Sequence, residues 1–381
     1  MGAGVRAVKV ESAAVISGVG CSDIGRRLHR DPLLLTADAA LAAVADAGLD
    51  LRDIDGVSTY PGASGSTPGI TGAGVDDIRT LLGLELRWHT GGSELPGQMG
   101  SIVNAVLAVA GGLADHVLCF RSVWESTAQV RAGSRSSLVA HSPRPVMRWG
   151  QPYGIGYVTY GALAMQRYMF ESGATREQFA QLAVVSRANA AGNPHAVYRE
   201  PMTVDDYLGA RMISEPVCIF DCDVPVDGAI AVIVSRVDST AVDRRRAIAI
   251  EALGSAPGFE QSAEMLWSRT DLKPSDVHLA EIYDGFTIYA VRWLEALGLT
   301  PRHETGAFIE GGHRIALDGE LPISTGGGQL SGGRLHGYGA LLEACIQLRG
   351  DGGARQVPGV PDVAAVSSGA ESFTSCLLLT R

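Results

Sequence analysis

The chain has 381 residues, with 31 Lys plus Arg, 41 Asp plus Glu and a formal net charge of −10. The chain is acidic and no basic stripe offsets this charge, which argues against nucleic acid as the main partner. Apolar residues make up 46% of the chain, charged residues 19%, and there are 48 glycines. Such a composition excludes a disordered chain and suits an α/β enzyme with a large core and many tight turns.

No segment of the sequence predicts a membrane span or a secretory signal. The longest apolar run, residues 102–114, is interrupted by Asn104 and a glycine pair, so it is too short and too polar to cross a bilayer. The six cysteines are scattered, and Cys218 and Cys222 have no second ligand pair nearby. We therefore expect reduced thiols, no metal site and a cytoplasmic protein.

The first 121 residues alternate between strand and helix patterns. Residues 13–25 predict a buried strand that ends in a glycine turn, and Thr36 is expected to cap the helix that follows. A second strand lies within 50–60. The small-residue helix from Ser101 and the apolar strand 117–122 come after a glycine-rich loop. This β-α-β-α-β order predicts a sheet that is covered on both faces.

The middle of the chain departs from this alternation. Residues 122–215 predict an inserted loop domain that could cover a ligand, with helices around 176–190. The segment 216–234 reads as strand, and a charged linker then leads to a second β-α-β half. We predict three units: an N-terminal half (1–121 and 216–240), the inserted loop domain (122–215) and a C-terminal half (246–381).

A glycine-rich stretch, residues 323–342, is the strongest candidate for a functional loop. Its glycines let backbone N–H groups approach a ligand, and a helix follows directly, which favours a developing negative charge. The loop also carries polar side chains that can bind substrate or move a proton. Its candidate residues are Gly327, Gly328, Ser331, Arg334, His336 and Tyr338.

Two shorter segments add candidates. The polar turn 281–287 follows an apolar strand, where α/β sites commonly lie, and offers Tyr283 and Asp284. An alternative is that Asp284 only caps the next helix while Tyr283 packs in the core. The elbow 91–97 precedes the helix from Ser101 but offers only Ser93 and Glu94, so by itself it is weak.

Several segments together resemble the thiolase superfamily over nearly the whole chain. They occur in that family's order and spacing, and are most similar to its lipid-transfer-protein branch and, within it, to actinobacterial steroid side-chain aldolases. The segments are AGLDLRDIDGV, GLADHVLCF, DVPVDGAIAVIV, EIYDGFT and STGGGQLSGGRLHGYG. The resemblance implies an α/β thiolase fold, a duplicated five-layer α-β-α-β-α architecture with an inserted loop domain.

The departures from the thiolase pattern concern the nucleophile. The place of the thiolase cysteine falls near residues 94–96, where no cysteine is present, and Arg334 stands where thiolases have a histidine. The C-terminal thiolase cysteine corresponds to the region 366–369, which carries Ser367 and Ser368. Without a cysteine no acyl-enzyme forms by the thiolase route, so thiolysis and Claisen condensation are disfavoured.

The resemblance implies a carbon–carbon lyase that cleaves a β-hydroxyacyl-CoA steroid side chain by a retro-aldol reaction. The products would be a 17-keto steroid and a short acyl-CoA, for which propionyl-CoA is the expectation. Schiff-base chemistry would need Lys9 or Lys273, and no carboxylate or histidine cluster predicts a metal. An acid/base pair with backbone N–H groups is the remaining route.

Tyr283 and Tyr338 are the expected acid/base pair, with His336 as a third catalytic residue; which tyrosine is the base stays open. A tyrosine has a pKa of about 10, so the base would need a neighbour that lowers it, and Arg334 and His336 are the nearest candidates. The residues expected to bind substrate are Asp284, Gly327, Gly328, Ser331, Arg334 and Gly369.

The resemblance also implies partners. The substrate brings coenzyme A with it, so no separate cofactor is expected. A homodimer through the strand 117–122 and a small partner with an OB-fold and a zinc ribbon would give a heterotetramer. Two alternatives stay open: a non-catalytic lipid- or acyl-CoA-binding subunit of a larger complex, and an acyltransferase that uses Cys345 or Cys376, although both lie in apolar runs where thiols are usually inert.

Overall fold

The computed structural model describes residues 9–63, 68–92, 97–131, 150 and 153–381. The strands are β1 (Ala14–Cys21), β2 (Gly56–Thr59), β3 (Trp88–Gly91), β4 (His116–Trp124), β5 (Met212–Ser214), β6 (Val217–Cys218), β7 (Asp227–Arg236), β8 (Ile248–Ala256), β9 (Leu279–Glu281), β10 (Val363–Ala370) and β11 (Phe373–Thr380). The helices are α1 (Pro32–Asp46), α2 (Val75–Leu82), α3 (Gly100–Ala110), α4 (Glu125–Arg131), α5 (Tyr157–Ser172), α6 (Arg176–Ala190), α7 (Val204–Leu208), α8 (Phe259–Trp267), α9 (Thr287–Ala296), α10 (Thr305–Ile309) and α11 (Tyr338–Arg349).

Within the described residues, nine strands form one mixed sheet in the order β3-β2-β4-β7-β1-β8-β11-β10-β9. The first five strands come from the N-terminal half, with β3, β2 and β4 parallel and β7 antiparallel to both β4 and β1. The last four come from the C-terminal half, and β9 runs parallel to β10. The two halves meet where β1 pairs with β8 through Val15 and Ile16.

Three apolar clusters explain the layering. Alanines of α1 and the Ile78 side chain of α2 cover one face of the N-terminal strands. Helices α3 and α11 are buried between the strands of the two halves, and α8 and α9 pack on the outer face of the C-terminal strands. The two halves of this sheet thus lie on either side of α3 and α11, with α1 and α2 outside one half and α8 and α9 outside the other, so the predicted five-layer α-β-α-β-α fold is confirmed.

The segment 122–215 contributes α5, α6 and α7 to the cluster of apolar side chains around α8 and α9. It therefore packs on the C-terminal half of the fold. Most of the residues between 132 and 152 lie outside the described ranges. The three domain boundaries drawn from the sequence stay a prediction.

Three local predictions are wrong. Thr36 does not cap α1, because Pro32 fits the first turn and the Asp31 side chain accepts from the Leu33 N–H (2.8 Å). The segment 216–226 is strand only at β6, because residues 219–221 form a 3₁₀ turn. The strand 117–122 lies in β4, paired on both sides by β2 and β7, so it has no free edge for a dimer; β3 is the edge strand of that half.

In the described ranges, no helix is both long and apolar enough to cross a membrane.

Candidate active site

The candidate site lies where several strands of the sheet end or begin. The turn 282–286 follows β9, and the loop 324–337 leads into α11. Trp124 at the end of β4 pairs with Asp227 at the start of β7, which places α4 and the segment before β7 at these strand ends. The site is therefore built from segments that are far apart in sequence.

Asp284 fastens the turn 282–286 to the glycine loop. Its buried carboxylate accepts hydrogen bonds from the backbone N–H groups of Gln329 (2.8 Å) and Leu330 (3.4 Å). Burial raises the pKa of Asp284 to about 6, although these backbone bonds lower it. Phe286, not Asp284, is the cap residue of α9, so the alternative of a simple helix cap does not hold.

The glycines of the loop are required by its shape. Gly327 and Gly328 have φ of 95° and 53°, a region that side chains rarely adopt. A Cβ at Gly328 would overlap the Asp284 carboxylate, and one at Gly327 would lie 2.6 Å from the Cβ of Ala190. These positions therefore let the π turn Gly328–Gly332 pack against Asp284 and α6.

Helix α6 and the residues just after it brace the same loop. Ser186 donates to the Gly327 carbonyl (2.5 Å), and Asn193 donates to the Gly326 carbonyl (2.8 Å). Ser331 is buried, and its Oγ accepts from Arg187 Nε (3.0 Å). Part of the predicted insertion thus holds the glycine loop in place, a role that its sequence did not reveal.

Tyr283 lies at the turn after β9, with its backbone N–H donating to Ser367 Oγ (2.9 Å). Its side chain is 9% exposed, and its hydroxyl makes no hydrogen bond within the described residues. Burial and the Asp223 carboxylate raise the pKa of Tyr283, although the Arg334 charge lowers it. The hydroxyl is therefore protonated at neutral pH and available to a ligand.

Arg334 is held between two carboxylates. Its Nε donates to Glu125 Oε2 (2.8 Å) and its Nη1 donates to Asp223 Oδ1 (3.1 Å). Burial lowers the pKa of Arg334, but the two carboxylates outweigh it and the pKa is raised. The guanidinium is thus a fixed positive charge in the site.

His336 faces a second buried guanidinium. Arg121 Nη2 lies 3.0 Å from His336 Nδ1. Because a guanidinium only donates, Nδ1 is the acceptor and the ring proton is on Nε2. Burial and the charges of Arg121 and Arg334 hold the pKa of His336 well below its usual range. His336 is therefore a neutral imidazole whose Nε2–H is a donor.

Tyr338, the first residue of α11, packs in the buried apolar cluster that α3 and α11 share. Its side chain is fully buried, and its hydroxyl lies 2.6 Å from Ser101 Oγ. Burial and the Cys119 thiol raise the pKa of Tyr338 well above its usual range, although Ser101 and Arg121 lower it. The lowered tyrosine pKa that a base would need occurs at neither Tyr283 nor Tyr338. Pairing of the two hydroxyls across a substrate stays a prediction.

The two serines that replace the C-terminal thiolase cysteine support the backbone. Ser368 Oγ accepts from the N–H groups of Gln98 (3.0 Å) and Met99 (3.1 Å) just before α3. Gly369 has φ of 80°, and a Cβ there would overlap the Phe373 carbonyl, so the β10–β11 turn requires this glycine. Ser93 and the segment 94–96 lie outside the described residues.

Two cavities meet at Glu281. A cavity of about 20 Å³ lies between the turn 282–286 and the glycine loop, and a larger one of about 330 Å³ lies beside β1 and α11. Glu281 and Gly328 line both. Burial and the Glu343 carboxylate raise the pKa of Glu281 well above its usual range, although bonds from Thr325 lower it.

We expect Glu281→Gln to gain stability relative to the wild type as the pH rises. Because the folded state raises the pKa of Glu281, the free energy of unfolding of the wild type falls as the pH rises above about 4.3, the pKa of a glutamate in the unfolded chain. Glutamine keeps the acceptor for Thr325 and never ionises. Urea unfolding between pH 5 and pH 8 measures the difference, which should be smaller at pH 5.

Glu343→Gln is the matched control, because it breaks an ion pair with Arg355 and should destabilise the protein at both pH values. A wild type and a Glu281→Gln variant with parallel pH dependence would show that Glu281 is ionised in the folded protein.

Other chemistry-bearing groups lie outside this cluster. Lys9 pairs with Glu251 (2.6 Å), and Lys273 is exposed in the turn before β9. Burial raises the pKa of Cys345 to about 12, and it raises the pKa of Cys376 further, which argues against the acyltransferase alternative. Among the described residues, no group of three or more His, Cys, Asp or Glu side chains could hold a metal ion.

Three charged residues of the site were missed by sequence reasoning: Asp223, Glu125 and Arg121. The only available signal was position, since Glu125 follows β4 and Asp223 precedes β7 at the same sheet edge. Their contacts join residues 111, 209 and 215 positions apart, which no local pattern encodes.

Comparisons with known proteins identify similar chains. The thiolase C-terminal domain-like family matches residues 239–379. The chain is 32% identical to the 17-hydroxy-3-oxo-4-pregnene-20-carboxyl-CoA lyase of Mycobacterium tuberculosis, over 96% of this chain and 98% of the lyase. It is 31% identical to the steroid side-chain-cleaving aldolase of Thermomonospora curvata, over 96% and 97% of the two chains.

A solved structure of an Ltp2-ChsH2(DUF35) aldolase superposes with a TM-score of 0.84 at 29% identity, and covers 97% of this chain and 98% of that one. The monomeric SCP2-thiolase-like protein of Mycobacterium smegmatis, at 18% identity and a TM-score of 0.70, shares the fold. The chain therefore belongs to the thiolase superfamily, among the thiolase-like steroid side-chain-cleaving aldolases.

Proposed function

We propose that this protein is a carbon–carbon lyase that cleaves the side chain of a steroid β-hydroxyacyl-CoA by a retro-aldol reaction. The products are a 17-keto steroid and a short acyl-CoA, with propionyl-CoA as the expected one. The observation that carries the proposal is similarity over nearly the whole of two relatives, one named as a steroid carboxyl-CoA lyase and the other as a steroid side-chain-cleaving aldolase.

The site geometry supports this chemistry. In a retro-aldol step a base takes the β-hydroxyl proton, the Cα–Cβ bond breaks, and an enolate forms on the thioester. Tyr283 and His336 each offer a neutral donor, and Arg334 supplies a fixed positive charge. Donors fixed before the reaction stabilise a developing enolate oxygen. Asp284 holds the turn that carries Tyr283 against the glycine loop.

We propose a route without a Schiff base or a metal. Both lysines lie outside the candidate site, Lys9 in an ion pair with Glu251 and Lys273 on an exposed turn. The thioester arrives with the substrate, so no separate cofactor is assigned. These residues leave proton transfer and hydrogen bonding as the means of catalysis.

A partner subunit is also part of the proposal. The superposed aldolase is named for two proteins, Ltp2 and ChsH2(DUF35), which supports a second chain here. We assign it to a small OB-fold and zinc-ribbon protein that joins a homodimer of this chain in a heterotetramer. A cytoplasmic location completes the proposal.

The test is turnover by the purified protein, with and without its partner, of a 17-hydroxy steroid carboxyl-CoA. We expect release of the 17-ketone, and loss of that release in the Tyr283→Phe, Tyr338→Phe double variant. Full activity of the double variant would contradict a role for these two hydroxyls in proton transfer.

One observation favours a second candidate, the non-catalytic acyl-CoA-binding subunit. The Tyr338 hydroxyl faces Ser101 in the core and not the cavity beside Tyr283. That candidate predicts binding of the steroid thioester with no ketone release by any assembly of the two chains.

A further inference from the structure

The three residues assigned to catalysis from the sequence share one property: each is a proton donor at neutral pH. The pKa values of Tyr283 and Tyr338 are raised, and that of His336 is lowered while its Nδ1 accepts from Arg121. A retro-aldol reaction also needs a group that removes the β-hydroxyl proton. At neutral pH none of the three is an ionised base, so the group that takes this proton is still to be assigned.

We propose that Asp223 is the general base of the reaction and that it takes the β-hydroxyl proton of the steroid thioester. This inference rests on the proposed retro-aldol function. It assigns a role to a buried carboxylate between the two loops that form the site.

The backbone fixes the position of Asp223. Its N–H donates to the Gly285 carbonyl (3.2 Å), and the residue before it bridges to Phe286 in the antiparallel sense. The next residue, Val224, donates to the Gln329 carbonyl (3.0 Å) and accepts from the Arg334 N–H (2.8 Å). Asp223 is thus tied to the turn after β9 on one side and to the glycine loop on the other.

The carboxylate itself has one occupied and one open oxygen. Oδ1 accepts from Arg334 Nη1 (3.1 Å), and the side chain is 10% exposed. Within the described ranges no hydrogen bond reaches Oδ2, so this oxygen can accept a proton from a ligand. Glu125 shares the same guanidinium through Nε (2.8 Å) but sits on its other side.

The charges around Asp223 suit a base that works near neutral pH. Burial raises the pKa of Asp223 to about 7; Arg334 lowers it, and the carboxylates of Glu125 and Asp284 raise it. The Asp223 carboxylate in turn raises the pKa values of Tyr283 and of Tyr289 on α9. These groups come from α4, the turn after β9, α9 and the glycine loop.

The proposed step balances as follows. An Asp223 oxygen takes the hydroxyl proton, the O–H electron pair forms the ketone C=O, and the Cα–Cβ pair moves onto the α-carbon and the thioester oxygen. Tyr283 then donates its proton to the α-carbon, and its phenolate regains a proton from Asp223. One proton has moved from oxygen to carbon, and both side chains return to their starting states.

The experiment compares Asp223→Asn with Glu125→Gln in the assembled enzyme with its partner, using pH profiles of kcat/KM for steroid thioester cleavage. The wild type should show activity that rises with pH around a midpoint near 7. Asp223→Asn should lower kcat/KM by about 10²–10⁴-fold and remove this rise. Glu125→Gln should keep the rise and move it to lower pH, because Glu125 raises the pKa of Asp223.

Each other result overturns the assignment. Retention of a tenth or more of kcat/KM in Asp223→Asn, or an unchanged pH midpoint in that variant, excludes Asp223 as the base. If Glu125→Gln also removes the increase of kcat/KM with pH, then Asp223 and Glu125 both act only by positioning Arg334. A wild type that binds the thioester without cleaving it would instead overturn the proposed function, and the base role with it.

Asp223→Glu is a second variant that keeps the proposal testable if Asp223→Asn does not fold. It keeps the carboxylate and moves it by one methylene, so we expect a lower rate with the pH rise still present. A folded Asp223→Glu enzyme without that rise would contradict the proposal.

Discussion

Replacing Tyr283 by phenylalanine should lower kcat for steroid side-chain cleavage by about 10²–10⁴-fold and leave the melting temperature unchanged. The hydroxyl has a raised pKa and makes no hydrogen bond to the described residues. Its removal therefore takes away a proton donor without leaving another polar group of these residues without its hydrogen bond. The ring would keep its contact with Gly285. Steady-state kinetics together with calorimetry measure both parts of the prediction.

Tyr168→Phe is the matched control, because Tyr168 is also buried and its hydroxyl donates to Glu295 (2.6 Å) on α9. That variant should lose about 1 kcal/mol of stability and keep its kcat. A Tyr283→Phe enzyme that is destabilised, or that retains kcat within threefold, would show that the hydroxyl is structural.

Replacing Arg355 by methionine should cost about 3–5 kcal/mol of stability. Arg355 and Glu343 are 8% and 5% exposed and form a bidentate pair, in which Nε donates to Oε1 (2.9 Å) and Nη2 donates to Oε2 (3.0 Å). Without the guanidinium, Glu343 is a buried charge whose remaining side-chain donors, among the residues that the structure describes, are the Gln347 amide and the Thr325 hydroxyl. Urea unfolding at pH 7.5 gives the free energy of unfolding directly.

The double variant Arg355→Met, Glu343→Gln should recover most of this loss, since it removes both charges of the pair. The exposed pair of Arg245 and Asp243 provides a second comparison, where Arg245→Ala should leave the stability nearly unchanged because water screens the pair. A loss below about 1 kcal/mol for Arg355→Met would show that the buried pair adds little.

This ion pair also matters for the site. A Cβ at Gly326 would lie 2.8 Å from Glu343 Oε2, and Thr325 bonds to both Glu343 and Glu281. The start of the glycine loop therefore rests on the pair. We expect Arg355→Met to lower activity through this support even where the protein stays folded.

The sequence predicted those parts of the fold that local pattern encodes. Alternating strand and helix signals gave the covered sheet, and the apolar segments around Asp284 and Gly328 placed the two loops of the site. Element ends were less secure, as the cap of α1 shows, because Asp31 and Thr36 are both acceptable cap residues and Pro32 decided between them.

The charged half of the site was not predictable in the same way. Asp223, Glu125 and Arg334 meet only because β4 and β7 are antiparallel neighbours and the glycine loop closes over their ends. The inward direction of Tyr338 likewise follows from its being the first residue of α11, where its ring packs against α3 and Ser101. Both facts depend on packing between segments that lie far apart in sequence.

The central claim is that the thioester is cleaved by a retro-aldol step with no acyl-enzyme. The most direct test is turnover of the 17-hydroxy steroid carboxyl-CoA by the assembled enzyme in D₂O, without added coenzyme A, followed by mass spectrometry of both products. We predict ketone and short acyl-CoA in a one-to-one ratio, with one deuterium on the α-carbon of the acyl-CoA. A requirement for free coenzyme A, or release of free acid in place of the acyl-CoA, would contradict the account.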